Sequence, residues 1–344
     1  MVKKAKPPKQ KNNNILIPRR VKSLLDAMND GNEYESIISL VPENNNLVPE
    51  IQRAIKDIED IRGKPLLCYV ANVVRPVPDT SILSSDDLPF NEMVNKVAPG
   101  ISDIDIMVVT AGGSGQQVSQ FVNTLRPRFD NVEFILPYMS MSAGTLWVLS
   151  GDKIWMDERA YIGPIDPQVR IPDGRFIPAQ SLLILLNFIR EEGEKHLKEG
   201  VSPPWDLIRL VDNIDARQLG DAITQSEYST KLATEYLEKY KFKTWATHSS
   251  TGAEVTPEDK HNRAKEVAEL FCSNAYWKSH AHGITRDIAQ NTLRLRIDEI
   301  ESVPGLERAV RRLWALLYWT FDRGAACKLI VSQDYVLVRH ATNV

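Results

Sequence analysis

Cysteine is scarce in this chain, and what there is does not cluster. Cys68, Cys272 and Cys327 are the only three, with no C-x-x-C pair, so neither a disulfide framework nor a cysteine zinc site is expected and a reducing cytoplasm suits the chain. No stretch approaches the roughly 20 uninterrupted apolar residues of a membrane helix, and the basic start is not followed by the apolar segment of a signal peptide; the protein is expected to span no membrane and to stay cytoplasmic. Charge of one sign is also lacking: the net charge is -3, which gives no reason to expect nucleic acid as the main partner. Neither G-x-x-x-x-G-K-[ST] nor G-x-G-x-x-G occurs, so nucleotide binding is weakly supported. His280 and His282 form an H-A-H pair, but no third ligand motif lies near them, and no metal is expected.

The 344 residues, 43% hydrophobic and 25% charged, are enough for a sizeable core in one large or two ordinary domains. Residues 1–18, rich in Lys, Asn and Pro, read as a disordered basic tail. Residues 19–62 carry apolar positions at three- and four-residue spacing and read as a helical N-terminal extension, at the edge of the main domain or against another subunit. From 63 to 344 the pattern is that of an α/β domain. Continuous apolar strands at 66–74, 104–110 and 132–136, separated by helices near 90–97 and 117–125, indicate a parallel sheet covered on both faces. Residues 178–275 read as a helical insertion, followed by a short helix at 286–293, a strand at 293–297, a helix at 306–321 and a strand pair at 328–332 and 335–339.

Two turns stand out, and both fall where ligands bind in an open α/β sheet, beyond the carboxyl ends of the strands. One is Gly112-Gly113. A double glycine serves as a tight turn, a phosphate cradle or a backbone oxyanion hole, since a Gly N–H can approach a carbonyl closely in unusual backbone conformations. The other is Ser142, which opens the small-residue run Ala143-Gly144-Thr145 and passes straight into a helix. Alone, it would be read as a helix cap. Beside the glycine turn it reads as a nucleophile among unpaired N–H groups at the positive end of a helix.

The order strand, G-G-S, helix, strand, S-A-G-T, helix, G-D-x-I-x-M, A-x-I-G resembles the Clp/crotonase-fold serine peptidases, which include ClpP and signal peptide peptidase A. The fuller string from Ser142 to Gln168 is most similar to the serine dehydrogenase proteinase branch. That resemblance implies an α/β Clp/crotonase-like ββα spiral fold with additional flanking helices, a peptide or protein substrate, and no cofactor. It puts Ser142 in the nucleophile's place, and Gly112 or Gly113 with the N–H of Ala143 in the oxyanion hole. The same branch takes its Asp from G-P-x-D-P-Q, here Asp166, and its His from an S-H-x-x-x-I setting, here His280. A Ser–Lys dyad finds no lysine at 171–181, and Lys195 and Lys198 read as a solvated helix end. Relatives of the fold assemble into rings or dimers, and the apolar stretches at 182–189 and 313–319 point to a homo-oligomer. Two other readings stay open: a non-proteolytic acyl-CoA enzyme on the same fold, and a catalytically silent assembly protein.

Overall fold

The computed structural model describes residues 23–42, 46–171, 174–248 and 251–341; the basic tail read at 1–18 lies outside them. Among these described residues, twelve strands follow in chain order. They are β1 Leu66–Ala71, β2 Asp103–Val109, β3 Asn131–Leu136, β4 Met139–Ser140, β5 Lys153–Met156, β6 Tyr161–Ile162, β7 Gln168–Arg170, β8 Phe176–Pro178, β9 Ile284–Thr285, β10 Asp298–Glu299, β11 Ala326–Val331 and β12 Val336–His340. Seven of them form the main sheet in the order β10-β5-β3-β2-β1-β11-β12. The pairs from β10 to β1 are parallel and the last two, β1 with β11 and β11 with β12, are antiparallel. A mixed α/β architecture results, with strands in the stretches expected at 66–74, 104–110 and 132–136 and covering helices between them.

Strand periodicity explains why these segments are apolar without alternation. In β1, Leu67 and Tyr69 turn to one core while Leu66, Cys68 and Val70 turn to the other, so both faces are buried. The first core is closed by the helices Asp87–Asn95, Gly115–Leu125, Ala143–Val148 and Pro257–Cys272, and Trp147 sits at its centre against Tyr69, Phe90, Phe121 and Phe134. The second is closed by the helices Glu33–Leu40, Val48–Arg62 and Leu306–Arg323.

Two expectations need revision, those at 313–319 and 293–297. The aromatic stripe at 313–319 is core: Leu313, Trp314, Leu316, Leu317 and Trp319 are all buried beneath the N-terminal helices. The apolar run at 182–189 is not enclosed within the chain, since Ile184 and Phe188 on the helix Ala179–Lys198 are each 51% exposed. No strand forms at 293–297. Leu293, Leu295 and Ile297 are buried, which accounts for the alternation, but Arg294 has φ +47 and the ladder begins only at β10.

A charged cluster fixes the amino ends of the parallel strands. Arg62 binds Asp105 at 2.7 Å and Glu133 at 2.6 Å, and Lys64 binds the same two carboxylates at 3.0 and 3.2 Å. Burial opposes ionisation of Glu133, but the Trp155 indole N–H and the charges of Lys64 and Lys153 outweigh it and hold the carboxyl at about 2. A carboxyl depressed in the folded state stabilises the fold above its unfolded value and loses that contribution as pH falls through the folded one. Thermal melts should therefore show a midpoint that declines from about pH 4.5 towards pH 2. Glu133→Gln is expected to flatten this segment of the profile, and an unchanged profile would refute the assignment.

Candidate active site

Three short pairings bring the site together. Beyond the end of β2, Thr110 bridges Ser140 in parallel register, with Thr110 N donating to Met139 O at 3.0 Å and Met141 N to Thr110 O at 2.9 Å. Two residues further along, Gly112 and Ser142 therefore lie side by side. The approach is so close that a Cβ on Gly112 would stand 2.7 Å from Ser142 Cβ; only glycine fits. A second small sheet, in the order β4-β6-β9, carries the rest. Strand β4 runs parallel to β6, and β9 antiparallel to it with Ile162 opposite Ile284. Residues following β4 and β6 and residues preceding β9 thus share one end. Continuing the β6–β9 register by four residues sets Asp166 opposite His280.

His280 Nδ1 lies 2.7 Å from Asp166 Oδ1. The carboxylate is 1% exposed, and its other oxygen accepts from Gln168 Nε2 and Asn274 Nδ2, each at 3.1 Å. Three donors on one buried carboxylate fix its orientation, and the carboxylate fixes which imidazole nitrogen it faces, leaving Nε2 as the free edge. Asn274, on the short helix Asn274–Trp277, was not singled out from the sequence. Nothing local marks it. His282 is occupied differently: its ring packs on Trp277 with centroids 5.1 Å apart.

Ser142 precedes the helix Ala143–Val148 with φ 52 and ψ -120. For a residue with a Cβ this costs on the order of 1–3 kcal/mol and persists only where the surroundings over-determine it. Here they do. Thr145 Oγ1 donates to Ser140 O at 2.7 Å and accepts from Gly163 N at 2.9 Å, pinning the helix to β4 and to the turn after β6. Ser142 makes no capping bond with its side chain and is partly exposed, whereas Ser140 is fully buried.

Of the backbone donors, Gly112 N already donates to Thr110 Oγ1 at 3.1 Å and Gly144 N to Met141 O at 2.8 Å. Among the described residues, the N–H groups of Gly113 and Ala143 donate to no protein acceptor. Gly113 is held by Ile82, whose N donates to Gly112 O at 2.8 Å and whose O accepts from Ser114 N at 2.9 Å. The Ile82 segment is fixed in turn by a buried pair. Lys328 Nζ bonds Ser81 O at 2.8 Å and Asp86 Oδ2 at 2.6 Å, and Leu83 N bonds the same carboxylate at 3.0 Å. Burial pulls the Lys328 ammonium below its usual range and Asp86 opposes that. This ion pair was invisible in sequence, where Lys328 begins an apolar strand.

Lys195 and Lys198 end the helix Ala179–Lys198 and are exposed. The start of that helix is tied to Pro167 O through Ala179 N, so a rise of 1.5 Å per residue puts Lys195 about 24 Å along from that tie. No cluster of metal-binding side chains occurs among the described residues. No helix among them is long and apolar enough to cross a membrane.

A serine beside a glycine turn and an aspartate–histidine pair thus stand at the same end of a small sheet. Residues 91–196 match the family described as ClpP-like SDH-type serine proteinase. Two uncharacterized proteins of Methanocaldococcus jannaschii are similar to it. One is 26% identical over 233 residues, 64% of this chain and 74% of that protein. The other is 39% identical over 88 residues, 26% of this chain and 29% of its own length. Among solved structures, a mutant of the 1510-N membrane-bound stomatin-specific protease matches 42% of this chain and 80% of its own, with 19% identity and a TM-score of 0.27.

The hydroxyl of Thr145 gives a direct test of how the nucleophile turn is held. Thr145→Val keeps the shape but leaves Ser140 O and Gly163 N without a partner, at about 1–3 kcal/mol for each buried group. Denaturant unfolding should show a loss of about 2–6 kcal/mol. A loss below 0.5 kcal/mol would mean that the bridge does not hold the turn.

Proposed function

We propose that the protein is a serine peptidase acting on peptide or protein substrates without a cofactor. The observation that carries this reading is the 2.7 Å pairing of His280 Nδ1 with the buried Asp166, at the same end of the small sheet as the strained, partly exposed Ser142. In the reaction Ser142 Oγ attacks the substrate carbonyl while His280 Nε2 takes its proton. Asp166 holds the imidazole and stabilises the imidazolium that forms. The carbonyl oxygen, now negative, accepts from the N–H groups of Gly113 and Ala143; we assign this pair in place of Gly112 and Ala143, because the Gly112 N–H is engaged by Thr110. His280 then returns the proton to the leaving amine, the acyl-enzyme forms, and water repeats the sequence to free Ser142.

We also infer self-association. Ile184 and Phe188 offer an uncovered apolar face on the helix Ala179–Lys198, and Phe176, 65% exposed, stands just before it. Three buried, unpaired thiols suit a reducing compartment, which we take to be the cytoplasm.

A serine-reactive fluorophosphonate should label Ser142, and Ser142→Ala should abolish both labelling and peptide cleavage. His280→Ala is expected to lower kcat by a factor on the order of 10^4 with folding intact; Asp166→Asn should match it or fall between, and His282→Ala should be mild. Labelling that persists in Ser142→Ala, or normal turnover in His280→Ala, overturns the assignment. Coenzyme A binding by calorimetry with no probe adduct would favour an acyl-CoA enzyme instead. For assembly, light scattering at micromolar concentration should exceed the 38.9 kDa of one chain, and a monomer would refute it.

A further inference from the structure

At the opposite end of the main sheet from Ser142 lies a cavity of about 1010 Å³. Its floor is formed by the amino ends of β3 and β5, with Asp298 of β10, and its walls by the helix Pro257–Cys272 and the segment 240–248. Since β3 has 6 residues, each rising about 3.3 Å, this cavity is separated from the Ser142 turn by the length of the strand.

Charge accounting within the cavity is uneven. Glu133 is paired with Arg62, Lys64 and Lys153, Asp152 with Arg126, Asp259 with His248, and Glu266 with Arg263. Asp298 engages Arg296 at 3.5 Å through one oxygen, and its second oxygen is buried without a hydrogen-bond partner. Two cations remain. Lys241 and Arg294 line the cavity, and among the described residues neither makes a hydrogen bond or an ion pair. Lys241 is 9% exposed. Burial lowers its ammonium to about 8, and Asp298 only partly offsets this. An unpaired ammonium so deeply placed is costly unless something else meets it.

The backbone around both cations is unusual. Lys241 ends the π-helical turn Leu237–Lys241, a rare form concentrated at functional sites. Arg294 is held at φ +47, where a side-chain-bearing residue is strained. Between them the wall is aromatic: Tyr240, Trp245 and His248 line the same space, with the Trp245 and His248 rings 5.1 Å apart. Two free cations call for an anion, and the aromatic wall for a planar group attached to it.

We propose that this cavity is a binding site, separate from the Ser142 centre, for an organic anion that joins a planar ring to a phosphate or carboxylate. The anionic group meets Lys241 and Arg294, and the ring lies against Trp245 and Tyr240. The volume accommodates a ligand of mononucleotide size.

Calorimetry on the full-length protein with phenyl phosphate tests this, with inorganic phosphate and phenol as its two halves and benzoate as the carboxylate arm. Phenyl phosphate or benzoate should bind at least tenfold more tightly than either half. Lys241→Met and Arg294→Gly should each weaken that binding at least tenfold, while Lys241→Arg keeps it. Arg294→Gly places glycine at a positive φ, and Lys241→Met removes a buried charge, so both are expected to fold; circular dichroism checks this. Binding to Ser142→Ala, or to fluorophosphonate-treated protein, should be unchanged. The proposal is overturned if neither probe binds, if inorganic phosphate binds as tightly as phenyl phosphate, if folded Lys241→Met binds like the parent, or if treatment at Ser142 blocks the probe.

Discussion

The positive φ of Ser142 is the constraint around which the carboxyl end of the sheet is built. A residue with a Cβ at φ 52 and ψ -120 relaxes unless several contacts forbid it. One contact is the parallel pairing of Thr110 with Ser140, which fixes the backbone just before the turn. Another is Thr145, whose hydroxyl ties the helix to β4 and to Gly163. Small residues then follow from geometry. A methyl on Gly112 would strike Ser142, one on Gly144 would lie 2.4 Å from Thr110 Cγ2, and one on Gly163 would lie 2.3 Å from Met141 Cε. Thus the small-residue pattern of G-G-S, S-A-G-T and A-x-I-G is a packing requirement, met wherever two strand ends and a helix start crowd one serine.

The same geometry explains what the sequence discloses. Ser142 and the glycine turn are legible because their small residues come in short runs, Gly112-Gly113-Ser114 and Ser142-Ala143-Gly144-Thr145, although the groups they make room for lie across the fold. Burial of both sheet faces is equally plain, written as the unbroken apolar run of β1 and as the apolar halves of β2 and β3 beyond Asp105 and Glu133. Asp166 and His280 are another matter. They lie 114 residues apart, and only the register of β6 with β9 sets them opposite; a two-residue strand has no periodicity to read. Resemblance supplied that pair, and register gives it a physical reason. Asn274 and the Lys328–Asp86 pair escaped both routes, since each acts through a long-range contact and sits in a segment of ordinary composition.

Where sequence reading went astray, it mistook burial for a particular kind of partner. Alternation at 293–297 reflects side chains entering the core from an irregular segment, and alternation reports facing rather than hydrogen bonding. The stripe at 313–319 looked like spare apolar surface because the helices that cover it, Glu33–Leu40 and Val48–Arg62, were assigned to a peripheral extension. Counted with the second core, they use that surface up. Exposed apolar residues lie instead on elements such as the helix Ala179–Lys198, where Ile184 and Phe188 are uncovered.

Helix-dipole stabilisation of Ser142 also needs reweighing. The helix that follows has 6 residues, under two turns, so its aligned dipoles sum to little. Of its leading N–H groups, that of Gly144 is spent on Met141 O. What remains is directional: two unengaged donors, Gly113 on one strand end and Ala143 on the next, held at fixed spacing by the Thr110–Ser140 register and by Ile82. Donors fixed in advance stabilise a developing oxyanion without reorganising, and the loss of one costs on the order of 3 kcal/mol in measured cases. Catalytic power at this site would then depend less on the helix than on the Ile82 segment, and so on the buried Lys328–Asp86 pair that anchors it.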